Sequence, residues 1–193
     1  MPGTKLTQFL YSSNLVSQTS AQQIAAQFKP KTIRKNEYLL KAGQATNEYF
    51  FLETGFLRSF AYDVEGNDIT TGFYSGNQMV FEVSSFFSRT TAKENMQALV
   101  DCTGYAVTFA EFNALFHAMP EFREFGRSIL VKGFSALKNR TLSMITETAE
   151  ERYASLLKTS PEILQNAPLK TIATYLGITD TSLSRIRKEM AHK

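Results

Sequence analysis

After Pro120 the chain runs to Thr146 without another proline, and its apolar residues recur at helical spacing. The helical pattern starts near Glu111. Phe122, Phe125, Ile129, Gly133, Leu137 and Met144 fall near one stripe, and Leu130, Phe134 and Ile145 widen it. A helix of about 25 residues spans about 37 Å. One this apolar must bury more than one face. One face can cover the domain that precedes it. The other needs a partner, and a second copy of the same helix is the simplest candidate. The alternative is a central helix buried within a monomer. Gly133 costs about 1 kcal/mol against Ala in mid-helix, and suits a point where two backbones approach closely. Leu130, Gly133, Phe134, Leu137 and Met144 are therefore the candidate dimer-interface residues.

Upstream, the period is that of strands. Residues 37–41, 49–53, 56–62, 68–74, 96–101 and 105–109 read as short strands rich in Phe and Tyr. Thr54-Gly55 between two aromatic runs predicts a β-hairpin, and residues 63–67 predict the next turn. Strands this short and closely spaced predict a double-sheet β-roll or sandwich. Before them, Ser20 and Gln23 have capping-box spacing for a helix over Ile24, Ala25 and Phe28, ended by Pro30.

Downstream, Thr148 and Glu151 form a second capping box, so a new helix begins there and 146–147 is a hinge. Ser160-Pro161-Glu162 reads as N-cap, first-turn proline and acidic first turn. From Leu169 to Met190 the spacing is that of a helix-turn-helix. Ile172 and Leu176 face inward, and Ala173 lets a second helix cross closely. Gly177 can take the left-handed conformation at the turn. Ile178 plugs the corner, Thr179 caps the second helix, and Leu183, Ile186 and Met190 are its buried face. The outward face is then Asp180, Thr181, Ser182, Ser184, Arg185, Arg187 and Lys188. A helical hairpin with a solvated polar face is the bland alternative. In a major groove, Arg185 could pair with guanine O6/N7 and Thr181 and Ser182 could reach bases or phosphates. Arg187, Lys188 and Lys170 could neutralise phosphates. Asp180 could accept from cytosine N4 or oppose phosphates. With Thr179, these are the candidate DNA-binding residues.

Composition removes other classes. Residues 1–118 carry a net charge of −1 and residues 119–193 a net charge of +4, a weak pointer to a polyanion partner. Cys102 is the only cysteine, and His117 and His192 the only histidines. Intrachain disulfides, Cys-ligated iron–sulfur clusters and three-histidine metal sites are excluded. Cys102 and His117 read as structural, and His192 as solvated or near a phosphate. No run approaches the roughly 18 apolar residues of a membrane span, and the first residues lack a signal-peptide core. The expectation is a cytoplasmic protein with no membrane partner, no metal and no cofactor. No nucleophile–base pair has residues to spare, so no catalytic residue is expected.

The order of elements, together with Ile172-Ala173, Leu176-Gly177-Ile178-Thr179 and Leu183-Ser184-Arg185-Ile186-Arg187-Lys188, resembles the Crp/Fnr family of bacterial transcription regulators. The likeness spans nearly the whole chain, and the Gly43, Gly55 and Gly66 turns fit the family's roll. It implies an α+β fold. The N-terminal double-stranded β-helix or jelly-roll domain, cyclic-nucleotide-binding-like, would occupy 1–118, a long dimerisation helix 119–146, and a winged-type helix-turn-helix domain 147–193. It also implies a homodimer that binds double-stranded DNA at a pseudo-palindromic operator, with RNA polymerase as a further partner.

In cyclic-nucleotide-binding members a Gly-Glu pair and, about ten residues on, an Arg-Ser or Arg-Ala pair hold the ribose and phosphate. The matching positions here are Phe81-Glu82 and Glu94-Asn95. A carboxylate where a phosphate must sit is repulsive, so the pocket reads as having lost cyclic-nucleotide binding. Arg89 and Lys93 lie close in sequence and could compensate if the loop is rearranged. An unidentified small-molecule effector stays open. The alternative functions are a small-molecule-binding signalling module acting through protein contacts, and a cupin-like enzyme short of metal ligands.

Overall fold

The computed structural model describes residues 4–191. Eight short strands form two antiparallel sheets. β1 (Lys29–Ile33), β8 (Cys102–Thr108), β3 (Glu48–Thr54) and β6 (Gln78–Val80) make one, in that order. β2 (Tyr38–Leu40), β7 (Asn95–Ala98), β4 (Phe56–Tyr62) and β5 (Asp68–Ser75) make the other. Their facing sides close over Ile33, Leu40, Phe50, Leu52, Leu57, Val80, Met96, Ala98 and Cys102. This is the double-sheet roll that the aromatic strands predict.

The hairpin expected around Thr54-Gly55 does not form. β3 pairs with β6 and β8, and β4 pairs with β5 and β7. Gly55, at φ +111°, carries the chain from one sheet to the other. A Cβ there would lie 2.6 Å from Cys102 Sγ and 2.7 Å from its Cα, so the crossing is too tight for any other residue. Strand periodicity alone does not distinguish a hairpin from a change of sheet. The hairpin is β4–β5, where the Asp63 carboxylate accepts from the N–H groups of Glu65 and Asn67.

β3 is buried on both faces. Phe50 and Leu52 point into the roll, while Tyr49 and Phe51 point to a second core made with helices. That core gathers α1 (Thr4–Tyr11), α2 (Gln18–Ala25), α3 (Val83–Ser88), α4 (Phe109–Ala118) and the start of α5 (Pro120–Thr146), through Leu6, Leu10, Ile24, Phe86, Phe112, Phe122 and Phe125. The cap of α2 is Ser17 rather than Ser20: the Ser17 hydroxyl accepts from Ser20 N–H at 3.3 Å, and Glu121 accepts from Ser17 N–H at 2.9 Å. α2 has ended by Ala25, so Pro30 lies within β1.

Pro120 opens α5 as a first-turn proline. The first turns bury Phe122, Phe125 and Gly126 against the roll, and Ile129 packs on the same core. Beyond that, Leu130, Val131, Phe134, Leu137, Leu142 and Ile145 are exposed, Phe134 by 70% and Ile145 by 76%. The two apolar faces of the stripe thus part company along the helix.

The long helix ends at Thr146, and the capping box at Thr148 forms as read. The Thr148 hydroxyl accepts from Glu151 N–H, and the Glu151 carboxylate accepts from Thr148 N–H. α6 (Ala149–Thr159), α7 (Glu162–Asn166), α8 (Leu169–Tyr175) and α9 (Asp180–Ala191) follow. Tyr153, Leu156, Ile163, Ile172, Ala173, Leu176, Leu183 and Ile186 share a third core with Phe56 of the roll, and Phe73, Leu99 and Val100 pack against it. Among the described residues no strand follows Thr108, so the C-terminal unit carries helices where a winged type was expected. The sheet that backs α8 is the roll's own: Thr174 Oγ1 accepts from Thr70 N–H at 3.1 Å. His192 lies outside the described residues.

Candidate nucleic-acid interface and effector pocket

The helix-turn-helix is built by α8, a tight turn and α9. Ile172 and Leu183 are wholly buried, and Ala173 beside them leaves room for the crossing. Gly177 sits at φ +70°, where only glycine is unstrained. Ile178 N–H donates to Ala173 O at 3.0 Å and Gly177 N–H to Thr174 O at 3.1 Å. Thr179 caps α9: its hydroxyl accepts from Ser182 N–H at 3.2 Å and donates to Ser182 Oγ at 2.9 Å. Those two hydroxyls are therefore already engaged with each other.

Asp180, Thr181, Ser184, Arg185, Arg187 and Lys188 are exposed on α9, and Lys170 is exposed on α8. Asp180 Oδ1 accepts from Thr181 N–H at 2.9 Å. Arg185 Nε lies 3.9 Å from Glu189 Oε1, with both side chains mostly solvated. An exposed pair of that kind is worth at most about 1 kcal/mol, so the guanidinium is easily released to another acceptor. Along α9 the apolar residues face α8 and the cationic ones face water.

The roll places the other candidate residues less uniformly. Glu82 caps α3, accepting from Ser84 N–H and Ser85 N–H. Phe81 packs on Tyr49, with centroids 4.5 Å apart, and on Phe86 and Phe87. Arg89 is turned away from Glu94: it donates to Thr46 O at 2.9 Å and Asn47 Oδ1 at 3.2 Å, and lies 4.2 Å over the Phe109 ring. Lys93 is exposed. Asn95 is buried and accepts from Ala42 N–H at 3.1 Å. Glu94 instead meets residues the sequence did not single out. Its carboxylate accepts from the Thr71 hydroxyl at 2.5 Å, and Thr71 Oγ1 is 2.8 Å from Ser59 Oγ. Burial pushes the Glu94 carboxyl above its ordinary value, the Thr71 hydrogen bond opposes that, and the Glu82 charge adds to it. Tyr74 beside them is pushed up to about 12, mainly by burial. The Arg89 guanidinium is held by the loop before β3.

A model of the cyclic nucleotide-binding domain matches residues 30–118. The fumarate and nitrate reduction regulatory protein of Yersinia pestis is 23% identical over 170 residues, covering 82% of this chain and 67% of that one. The structure of FixK2 from Bradyrhizobium japonicum aligns with TM-score 0.74 at 17% identity, covering 86% of this chain and 85% of that one. A Eubacterium rectale protein described as a regulator of the crp/fnr family aligns with TM-score 0.73 at 14% identity, covering 95% and 88%. The chain thus carries a region similar to the cyclic nucleotide-binding domain, and its fold is that of these solved regulators.

The matched region includes every effector-pocket candidate read from the sequence, Phe81, Glu82, Arg89, Lys93, Glu94 and Asn95. The roll and α3 are in place, and Glu94, the residue that the sequence reading set at the phosphate position, is held by the Thr71 hydroxyl. Thr71, Ser59 and Tyr74 were not legible as its neighbours, because they converge only through the β4–β5 register. Cys102 is buried, its thiol raised by burial and within 3.3 Å of Val100 O. His117 is exposed in the last turn of α4, and its carbonyl accepts from Arg123 at 3.3 Å. Among the described residues no group of three or more His, Cys, Asp or Glu could hold a metal ion. No described helix is long and apolar enough to cross a membrane.

Proposed function

We propose that this protein is a sequence-specific DNA-binding transcription regulator that acts as a homodimer on an inverted repeat. The observation that carries the reading is α9. Its apolar side is buried on α8, while Arg185, Arg187, Lys188, Thr181 and Ser184 are exposed on the side that would meet a duplex. Arg185 is the base-reading residue, with guanine as its partner. Arg187, Lys188 and Lys170 neutralise phosphates. Thr179 and Ser182 act mainly by holding the first turn of α9 at its entry angle, since their hydroxyls serve the cap.

Leu130, Phe134 and Leu137 form the dimer seam, with Gly133 between them; nothing lies within 4 Å of a Cβ built on Gly133. Met144 is directed elsewhere, toward the helix-turn-helix. The roll takes no cyclic nucleotide in the family's usual manner, because Glu94 would face the phosphate. The protein works in the cytoplasm without catalysis, alongside RNA polymerase, and with or without another small-molecule effector.

The test is Arg185→Ala, measured by fluorescence anisotropy on a duplex selected by the wild-type protein from a random library. We expect a loss of about 1–3 kcal/mol, roughly 5- to 150-fold, together with relaxed preference at one base pair per half-site. Unchanged affinity and preference would remove Arg185 from base readout.

A further inference from the structure

The last two carbonyls of the α8 end are taken by side chains from outside the helix-turn-helix. Tyr175 O accepts from Arg140 Nη2 of α5 at 2.9 Å. Leu176 O accepts from Nε and Nη2 of Arg152 on α6, at 3.2 and 2.9 Å. The turn's own N–H groups serve the preceding carbonyls, Ala173 O and Thr174 O. Arg140 also lies 4.5 Å over the Tyr175 ring. Arg152 Nη1 donates to Glu147 O at 2.6 Å, and Glu147 is the C-cap of α5. One guanidinium therefore ties the α5–α6 hinge to the helix-turn-helix turn. Met144, four residues beyond Arg140 on α5, closes the grip: its Cε would lie 2.5 Å from a Cβ on Gly177.

We propose that Arg140 and Arg152 are positioning residues for DNA recognition. They fix the angle of α9 against the dimer helix, and through it the spacing of the two recognition helices. This rests on the dimeric DNA-binding reading above. The chemistry favours arginine in both places. Carbonyls at a helix C-terminus carry partial negative charge and lack intrahelical partners. A planar guanidinium can hold two carbonyls at a set angle, whereas an ammonium is a point charge on a flexible stem. The turn from Leu176 to the Thr179 cap is short, so α9 follows wherever the Leu176 carbonyl is held. On its other side α8 rests on β5 through Thr174 and Thr70. That contact and the Phe73–Tyr175 ring packing at 5.1 Å hold the side of α8 that faces the roll, while the arginines hold its last carbonyls. Beside them, a solvent-open cleft of about 240 Å³ is lined by Asn139, Ser143, Ser155 and Thr159. Truncating either arginine enlarges a wet cleft instead of opening a core.

The experiment uses the full chain and the inverted-repeat duplex selected by the wild type. Its half-sites are then moved by one or two base pairs either way, and a single half-site duplex is included. Wild type should bind one spacing at least tenfold better than its neighbours. Arg140→Ala and Arg152→Ala should keep the half-site affinity within about twofold while the penalty for shifted spacing falls below about threefold. Arg152→Lys, which keeps charge and stem, should melt as wild type does and still lose spacing discrimination. A wild-type spacing profile in these variants overturns the positioning role and leaves DNA binding intact. Uniform weakening on every duplex, half-site included, also overturns it, because that is loss of fold rather than of angle. Failure of the wild type to select any spaced repeat overturns the dimeric reading beneath it and the positioning role with it.

Discussion

Glu94 lies among Ser59, Thr71 and Tyr74, with Glu82 close enough to add to its raised pKa. A carboxyl whose value is higher in the folded chain binds its proton more tightly there than when unfolded. Stability from this group is thus fully present below the ordinary carboxylate value, and is lost as pH rises from there through Glu94's own raised value. Glu94→Gln removes that loss. We expect a higher Tm than wild type at pH 7, with the difference shrinking toward pH 4; a Tm lowered alike at both would show that the carboxylate stabilises the roll. At the same scale, the sequence showed a carboxylate in a phosphate's place but not what satisfies it. Thr71 and Ser59 meet only because β4 and β5 pair with a bulge between Ser59 and Phe60, and no spacing rule reports a bulge. The arginine grip on Tyr175 and Leu176 was equally hidden, since its partners are backbone carbonyls and any residue supplies one.

The elements were legible to different depths. The helix-turn-helix could be read almost atom for atom, because its signals are local: a small residue at the crossing, a glycine at positive φ, and a hydroxyl cap at Thr179. The roll could be read as strands but not as pairings. Thr54-Gly55 has the look of a hairpin, and only the three-dimensional closure of two sheets makes it a crossing. Along α5 the stripe of apolar residues was visible, but not its division. The first turns cover the roll and the stretch from Leu130 lies bare in a single chain. Burying that stretch against a second copy would recover roughly 1.5–3 kcal/mol for each large side chain fully covered. Leu137→Glu places a charge in the proposed seam, and we expect sedimentation equilibrium to show a monomer where wild type is a dimer. A dimer of unchanged stability would place the interface elsewhere.

At the scale of the whole molecule, the C-terminal helices are not a free appendage. Phe56, Phe73, Leu99 and Val100 of the roll join the core that holds α6, α8 and α9. Thr70 and Thr174 add a polar link across the same junction. The helix-turn-helix is thus referred to two bodies at once, the roll through β5 and the end of α5 through Arg140, Met144 and, on α6, Arg152. A change inside the roll that shifts β5 would reach α9 through one joint, and a change at the seam would reach it through the other. Charge distribution had hinted at a polyanion partner only weakly. The firmer indication is local, in cations gathered on the one solvated face of a short helix.

The most direct measurement is selection of duplexes from a random library by the wild-type protein, followed by affinity at 50 and 200 mM salt on the recovered sequence. The account predicts an inverted repeat with half-sites about one duplex turn apart, and an affinity that falls by about 10³ or more across that range for a dimer making 6–10 phosphate contacts. Recovery of no common sequence, or an affinity indifferent to salt, would contradict it.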